Sequence, residues 1–191
     1  MAAPSRREPL VEAALRLFMR DGIHATGIAA VLDEAGVSKM TLYGHFASKE
    51  ALVLAALELR DRQFREWLLA RMAELGGEPR GQLLALFDAL AEWFRGEAPI
   101  GPFLGCAFVN AAAEYGSPAD PVHRLAARHK GLVLDHIETL AASAGFTQAS
   151  ALARQLILLK EGAIAEAHVR GNLDAAGDAR AVAAFLVERA R

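Results

Sequence analysis

Residues 22–52 place two short runs with helical patterning on either side of a tight turn. Thr26 precedes the first run and Ser38 precedes the second, and both residue types favour the N-cap position of a helix. Between the runs, Gly36 allows the positive φ that a tight interhelical turn needs. Two short helices in this order, followed by the start of a longer one, predict a helix-turn-helix. The second helix of that motif enters the major groove of DNA.

The rest of the chain shows helical patterning broken by Gly and Pro. Hydrophobic residues make up 53% of the 191 residues, and Ala and Leu dominate while β-branched residues are thinly spread, which favours an all-α fold. Apolar spacing predicts helices over residues 9–21, 27–35, 39–45, 48–75, 81–95, 105–115, 120–144, 147–169 and 178–190.

The net charge of the chain does not by itself indicate a nucleic-acid partner. The formal charge is −2, whereas many DNA-binding domains are basic. The placement of charges is more informative than their sum. Lys39 and Lys49 fall where a helix-turn-helix meets phosphates, while Asp33 and Glu34 lie in the supporting helix.

Two further features bear on the compartment. No apolar run is long enough to span a membrane, and residues 1–10 are polar with no apolar signal core. The single cysteine, Cys106, excludes an internal disulfide framework and is compatible with a reducing environment. We therefore expect a cytoplasmic protein with no membrane partner.

A group of residues in the N-terminal segment keeps a characteristic order and spacing: Thr26, Ala35-Gly36-Val37-Ser38, Thr41-Leu42-Tyr43, His45-Phe46 and Ser48-Lys49-Glu50-Ala51-Leu52. This group resembles the N-terminal signature of the TetR family of bacterial transcriptional regulators. The resemblance implies an all-α protein with a three-helix helix-turn-helix DNA-binding domain over residues 1–50. It implies a helical ligand-binding and dimerisation domain over residues 51–191. The expected function is that of a repressor released from a palindromic operator by a small-molecule ligand.

The chain departs from the family signature at two places. The first helix of the helix-turn-helix often carries a polar residue just after its start, and residues 27–30 here offer none. Gly44 stands where a bulkier, often basic or aromatic residue is frequent. It weakens the end of the recognition helix and removes a possible contact.

The expected DNA contacts cluster on the second helix of the motif. Lys39, Met40 and Thr41 lie on its first turn, where side chains reach base edges. Lys39 can donate to guanine, and carbon atoms of Met40 or Thr41 can meet a thymine methyl group. Tyr43 and His45 resemble family positions that touch the sugar-phosphate backbone, although Tyr43 packing beneath the motif is the alternative.

Three further residues are expected near phosphates. Lys49 combines a cation with a helix N-terminus. Thr26 and Ser38 can use side-chain or backbone donors in the same way, although helix capping alone explains both.

The C-terminal region supplies candidates for a ligand pocket, because such pockets combine apolar walls with a few polar groups. Asn110 and Glu114 are the least expected of them, spaced four apart in an otherwise apolar helix, since buried polar groups need partners. They belong either to a pocket or to a structural network. The full set is Trp93, Phe94, Phe108, Asn110, Glu114, His129 and His136.

The remaining expectations concern metals, cofactors and partners. His129 and His136 are seven residues apart and supply no adjacent ligand pair, so we expect no metal site and no cofactor. The expected partners are a double-stranded DNA operator, a small-molecule effector and a second copy of the chain. Small residues over 162–167 suit a homodimer built from the last two helices, or else an intramolecular core.

Two other classes of protein remain possible at this point. One is an enzyme with an accessory DNA module, which no Ser/His/Asp, paired-carboxylate or phosphate-loop signature supports. The other is a structural DNA-binding protein without an effector, which a well-packed C-terminal core lacking a pocket would favour.

Overall fold

The structure, a computed structural model, describes residues 6–190, and within that range it contains nine α-helices and no strand. The all-α prediction is therefore confirmed. The helices are α1 Arg7–Asp21, α2 Ile28–Ala35, α3 Lys39–His45, α4 Lys49–Gly76, α5 Pro79–Phe94, α6 Ala107–Glu114, α7 Pro121–Ser143, α8 Ala149–Arg170 and α9 Ala175–Arg189.

Where helix ends differ from the prediction, local backbone chemistry gives the reason. α5 begins at Pro79 rather than at residue 81, because proline has no N–H to lose at the first helical position. α6 begins at Ala107 rather than at residue 105. Gly105 has a φ of +78°, which lies outside the right-handed helical region. α9 begins three residues earlier than expected, at Ala175.

The contacts divide the described chain into two compact units. The first unit combines the chain up to Arg62 with Cys106–His129, and the second combines Gln63–Gly105 with the chain from Lys130 onward. α4 and α7 therefore each contribute to both units. α6 belongs with the helix-turn-helix rather than with α5, α8 and α9. The functional boundary expected near residue 50 remains a prediction.

In the core of the first unit, α1 packs on the short helices α2 and α3, and α1, α4 and α6 surround a common small void. Phe18, Val31, Leu42 and Phe46 are buried in this core, while Ile28 and Val37 are only half-buried. α6 adds a buried apolar face of Ala107, Phe108 and Ala111.

The second unit is built on α5, α8 and α9, which pack against one another. α5 buries large side chains such as Phe87 and Trp93. Alanines on α8 and α9 are buried where the helices pack, because small side chains let helix axes approach closely. In residues 6–190, no helix has both the length and the hydropathy that crossing a bilayer requires.

Candidate nucleic-acid interface

The turn between α2 and α3 has the geometry that the sequence predicts. Gly36 adopts the left-handed conformation, with φ +61° and ψ +42°, which favours glycine. The Val37 N–H donates to the Leu32 carbonyl oxygen at 3.1 Å, closing the end of α2. The chain thus turns within a few residues, and α3 starts immediately afterwards.

Ser38 caps α3, as predicted. Its Oγ accepts a hydrogen bond from the Thr41 N–H at 3.1 Å and lies 2.9 Å from the Thr41 hydroxyl. The cap satisfies one of the amide donors that a helix N-terminus leaves free. It also fixes the first turn of α3, on which the predicted base-contacting residues lie.

One face of α3 is open to solvent and the other is buried. Met40 is 84% exposed, while Leu42 is fully buried. Tyr43 is exposed rather than packed beneath the motif, and the Lys39 ammonium lies 5.9 Å from the centroid of its ring. Lys39 and His45 are exposed as well. The open face therefore presents a cation, a thioether and a phenol along one short helix.

Thr26 does not cap α2, and this part of the prediction is wrong. The N-cap is Gly27, which makes no side-chain cap bond. Thr26 is only 3% exposed, and its hydroxyl donates to the Gly22 carbonyl oxygen at 2.6 Å. Because that donor is used inside the protein, we leave Thr26 out of the DNA-contacting surface.

Lys49 has a partner within the protein. Its Nζ donates to the Ile23 carbonyl oxygen at 2.6 Å, and the side chain is half-buried at the start of α4. An ammonium has three donors, so this bond leaves two for a phosphate. The predicted phosphate contact stays a prediction, with a structural role beside it.

Glu114 binds the helix-turn-helix rather than lining a ligand cavity. Its Oε1 accepts from the Ile23 N–H at 2.8 Å, and its Oε2 accepts from the His24 N–H at 2.6 Å. Burial acts to raise the pKa of the Glu114 carboxyl, but the bonds from His24 and Ile23 outweigh it and hold that pKa below its ordinary value. Of the two readings left open for Glu114, the structural network is the one observed.

The other ligand-pocket candidates of the first unit differ in burial and in their contacts. His129 is buried, its Nδ1 lies 2.7 Å from Asp61 Oδ1, and its ring stacks on Phe108 with 3.6 Å between centroids. Asn110, expected to be buried, is exposed, although it borders the same small void as Ala111. Phe108 and His129 are therefore brought together, and Asn110 is not part of their stack.

The candidates of the second unit are mainly core. Trp93 and Phe94 are buried on α5, and Phe103 packs on both, with 4.8 Å and 4.6 Å between ring centroids. His136 is half-buried on α7, and its Nε2 is enclosed without a hydrogen-bond partner. Burial lowers the pKa of His136, which favours the neutral ring.

Two cavities within the units, one small and one open, can be described. In the first unit, α1, α4 and α6 enclose a void of about 10 Å³ beside Asn110 and Glu114, room for about one water molecule. In the second unit, an open groove of about 490 Å³ runs past Asp88, Arg95 and Asp174. Among residues 6–190, no group of three His, Cys, Asp or Glu side chains is arranged to hold a metal ion.

Sequence reasoning missed the residues whose partners are far along the chain. Asp61 pairs with His129 across 68 positions, and Glu114 meets Ile23 across 91. The only signal for the second was the presence of a carboxylate on an otherwise apolar helix. Nothing in the spacing showed which backbone groups it binds.

Comparison with known proteins agrees with this geometry. The family model for bacterial regulatory proteins of the tetR family matches residues 10–56, which span α1, α2, α3 and the start of α4. SCO4454, a TetR-family transcriptional regulator from Streptomyces coelicolor, is 33% identical, with a TM-score of 0.86. The match covers 97% of this chain and 96% of that one.

Two curated relatives extend the comparison. The HTH-type transcriptional regulator YjdC of Escherichia coli is 26% identical over 159 residues, covering 83% of this chain and 81% of YjdC. The HTH-type transcriptional repressor KstR2 of Mycobacterium tuberculosis is 38% identical over 91 residues. That match covers 46% of this chain and 44% of KstR2.

Proposed function

This chain belongs to the TetR family of bacterial transcriptional regulators, and on that premise we propose that it is a repressor that a small-molecule ligand releases from a palindromic operator. The observation that supports DNA reading most directly is the exposed face of α3. Lys39 and Met40 on its first turn offer a donor for guanine and an apolar contact for a thymine methyl group. Tyr43 and His45, further along, suit the sugar-phosphate backbone.

We place the dimer interface on α8 and α9. Leu158 and Val169 on α8 are 72% and 79% exposed in one chain, and Val182 and Phe185 on α9 are exposed too. Large apolar residues that cluster on a surface commonly mark an interface. A two-fold dimer would hold two α3 helices in successive major grooves, about 34 Å apart, and this requires a palindromic operator.

The effector belongs to the helices after residue 50. It can release DNA only if it binds the released state more tightly than the DNA-bound state. Trp93, Phe94, Phe108, Asn110, His129 and His136 remain candidate contacts. Glu114 is withdrawn, because its carboxylate is committed to the α1–α2 loop. We assign the chain no catalytic role, and its relatives are named as regulators.

The test begins with capture of fragmented genomic DNA from the source organism by the purified full chain, with excess nonspecific competitor. We expect one palindromic sequence to be recovered, bound by one dimer with an affinity that falls as salt rises. The control is the double variant Lys39→Ala, Met40→Ala, whose altered side chains are exposed. It should keep its helical spectrum and lose preference for the recovered sequence.

A reporter gene behind the recovered sequence then separates repression from activation. Deleting the regulator should raise expression if the chain is a repressor. If the chain enriches no fragment over competitor, even at low salt, sequence-specific DNA binding is excluded. If expression falls on deletion, the DNA-binding part of the proposal stands and repression is wrong.

A further inference from the structure

Glu114, the last residue of α6, accepts hydrogen bonds from the α1–α2 loop. Both oxygens of Glu114 are used: one accepts from the N–H of Ile23 and the other from the N–H of His24. Nδ1 of His24 also lies 3.1 Å from Glu114 Oε2. Bonds to an ionised acceptor are roughly twice as strong as neutral ones, so this carboxylate is a firm attachment between α6 and the loop.

A second side chain also binds the backbone of Ile23. The carbonyl of Ile23 accepts from the Lys49 ammonium at 2.6 Å, and Lys49 is the first residue of α4. The backbone of Ile23 therefore stands between a carboxylate on α6 and an ammonium on α4. The loop leads directly into α2, which supports the recognition helix α3.

The end of α6 is anchored in turn. The ring of Tyr115, next after Glu114, stacks on His24 with 4.9 Å between centroids. The Tyr115 carbonyl oxygen lies 2.8 Å from Nδ1 of His123 on α7. Contacts thus run without interruption from α7 through the end of α6 to the α1–α2 loop, all within the first unit.

We propose that Glu114 is a positioning residue for DNA recognition: through it, a displacement of α6 reaches the α1–α2 loop and changes the placement of the recognition helix. This inference rests on the proposed function. N–H···O hydrogen bonds join heavy atoms about 2.7–3.2 Å apart, so a shift of α6 by about 1 Å would break both. The partly buried N–H of Ile23 would then lack its acceptor, whereas the exposed N–H of His24 can turn to water, and the loop would move to satisfy Ile23.

The first measurement needs no DNA and no variant. In the NMR spectrum of the full chain, the amide proton shifts of Ile23 and His24 should titrate together with the Glu114 carboxyl, at a pH below the ordinary range for glutamate. Titration at an ordinary pH, or amide shifts that do not follow the carboxyl, would overturn the attachment itself.

The second measurement uses the variant Glu114→Gln to test whether this carboxylate holds the loop that leads to the recognition helix. A glutamine offers one acceptor where the carboxylate offers two. Amide exchange at Ile23 and His24 should therefore quicken by at least about tenfold, equivalent to about 1.4 kcal/mol of local opening. Glu12→Gln, which removes an exposed carboxylate on α1, is the charge-matched control and should leave exchange at these two amides unchanged.

Coupling between two sites is reciprocal. If α6 influences DNA binding, DNA binding must also influence α6, and a glutamate with a purely structural role would not affect that response. In the wild type, binding of the recovered operator should slow amide exchange over residues 107–114. In Glu114→Gln this protection should be lost and operator affinity should fall, while Glu12→Gln retains both. Wild-type binding with no protection of α6 would overturn the coupling alone. A wild type that binds no genomic fragment would overturn the proposed function and the regulatory role together.

Discussion

Two lysines of the helix-turn-helix region have the same chemistry and different surroundings. Lys39 projects from α3 into solvent over the ring of Tyr43. Lys49 is half-buried, and its ammonium donates to the backbone of Ile23. Because the first is available to DNA and the second is engaged in the protein, the same substitution should have different consequences at the two positions.

Substitution by methionine keeps the stem of each lysine and removes its charge. Lys39→Met should leave the free energy of unfolding within about 0.5 kcal/mol of wild type, while the salt dependence of DNA binding falls by about one unit. Lys49→Met should cost about 1.5 kcal/mol of stability, since a bond to a charged donor is lost. Urea unfolding and operator titrations at several salt concentrations measure both. Equal stability of the two variants would argue against a structural role for Lys49.

Gly105 is a second residue whose environment permits little change. Its φ is +78°, and a Cβ there would lie 2.8 Å from the imidazole ring of His168. Gly105→Ala should therefore cost more than the 1–3 kcal/mol or so expected from backbone strain alone. Gly101→Ala is the matched control, because Gly101 has a φ of +88° with no atom within 4 Å of the added carbon.

The excess cost of Gly105→Ala over Gly101→Ala should shrink when His168 is also replaced by alanine, and thermal unfolding of the four variants would show it. An excess that persists without the imidazole would mean that the ring is not what excludes the methyl group.

Residue roles were predictable where the partner is local. Ser38 caps α3 because its partner is three residues away, and the positive φ of Gly36 follows from a turn visible in the spacing. Thr26 was misplaced because threonine and glycine both serve as N-caps, and the adjacent Gly27 took that position. The partner of Glu114 lies 91 positions away, so only the folded chain identifies it.

At the scale of elements, α7 and α8 are joined by a charged cluster in the second unit. Lys160 on α8 is 1% exposed, and its Nζ donates to Glu161 Oε1 at 2.8 Å. Lys130 on α7 donates to the other oxygen at 2.6 Å, and the Lys160 ammonium also lies 5.9 Å from the ring centroid of Phe64. One carboxylate thus neutralises a buried cation and ties two helices together.

Removing that carboxylate should be more harmful than removing the buried cation. Glu161→Gln leaves the Lys160 charge without its carboxylate and should cost about 3 kcal/mol. Lys160→Met removes the buried charge itself and should cost distinctly less. Urea unfolding at neutral pH compares the two, and a smaller cost for Glu161→Gln would contradict the assignment.

The stability difference between wild type and Glu161→Gln should depend on pH. Burial acts to raise the pKa of Glu161, but Lys160 and Lys130 outweigh it, so the folded pKa lies below the ordinary 4.5. When the pKa of a carboxyl is lower in the folded state than in the unfolded state, its ionised form stabilises the fold at any pH above the unfolded-state pKa. That stabilisation is lost as the pH falls through the folded-state pKa. The stability gap between wild type and Glu161→Gln should therefore narrow only below pH 4.5. A gap that is unchanged across that range would contradict this.

Helix positions were largely predictable, because apolar spacing and Gly or Pro breaks are local signals. The grouping of helices was not. The spacing of α6 shows an apolar face, and it does not show that the face packs in the same unit as α1. That assignment depends on contacts between distant parts of the chain.

At the scale of the whole molecule, the exposed apolar residues of α8 and α9 predict a homodimer. Leu158→Asp places a charge where one chain leaves leucine 72% exposed, so the fold of the single chain should tolerate it. Burial in a dimer would leave that charge without a partner, and the variant should be monomeric. Light scattering during size-exclusion chromatography measures the mass.

Leu75→Asp, at an exposed position near the end of α4, is the control and should remain dimeric. A dimeric Leu158→Asp protein with an unchanged helical spectrum would exclude Leu158 from the interface. A monomeric form should also bind a palindrome far more weakly, because it loses simultaneous contact with both half-sites.

The composition of the first unit limits how this regulator can acquire new DNA preferences. Recombination that exchanged only the chain up to Arg62 would separate the loop at Ile23 from the α6 carboxylate that holds it. A chimera of this kind would contain the recognition helix but lack the carboxylate that holds the α1–α2 loop, unless the recipient protein supplied an equivalent acceptor. Substitution on the solvent-facing side of α3 disturbs none of these contacts. New operators are therefore more accessible to this lineage through point changes at positions such as Met40 and Gly44 than through the shuffling of an N-terminal cassette.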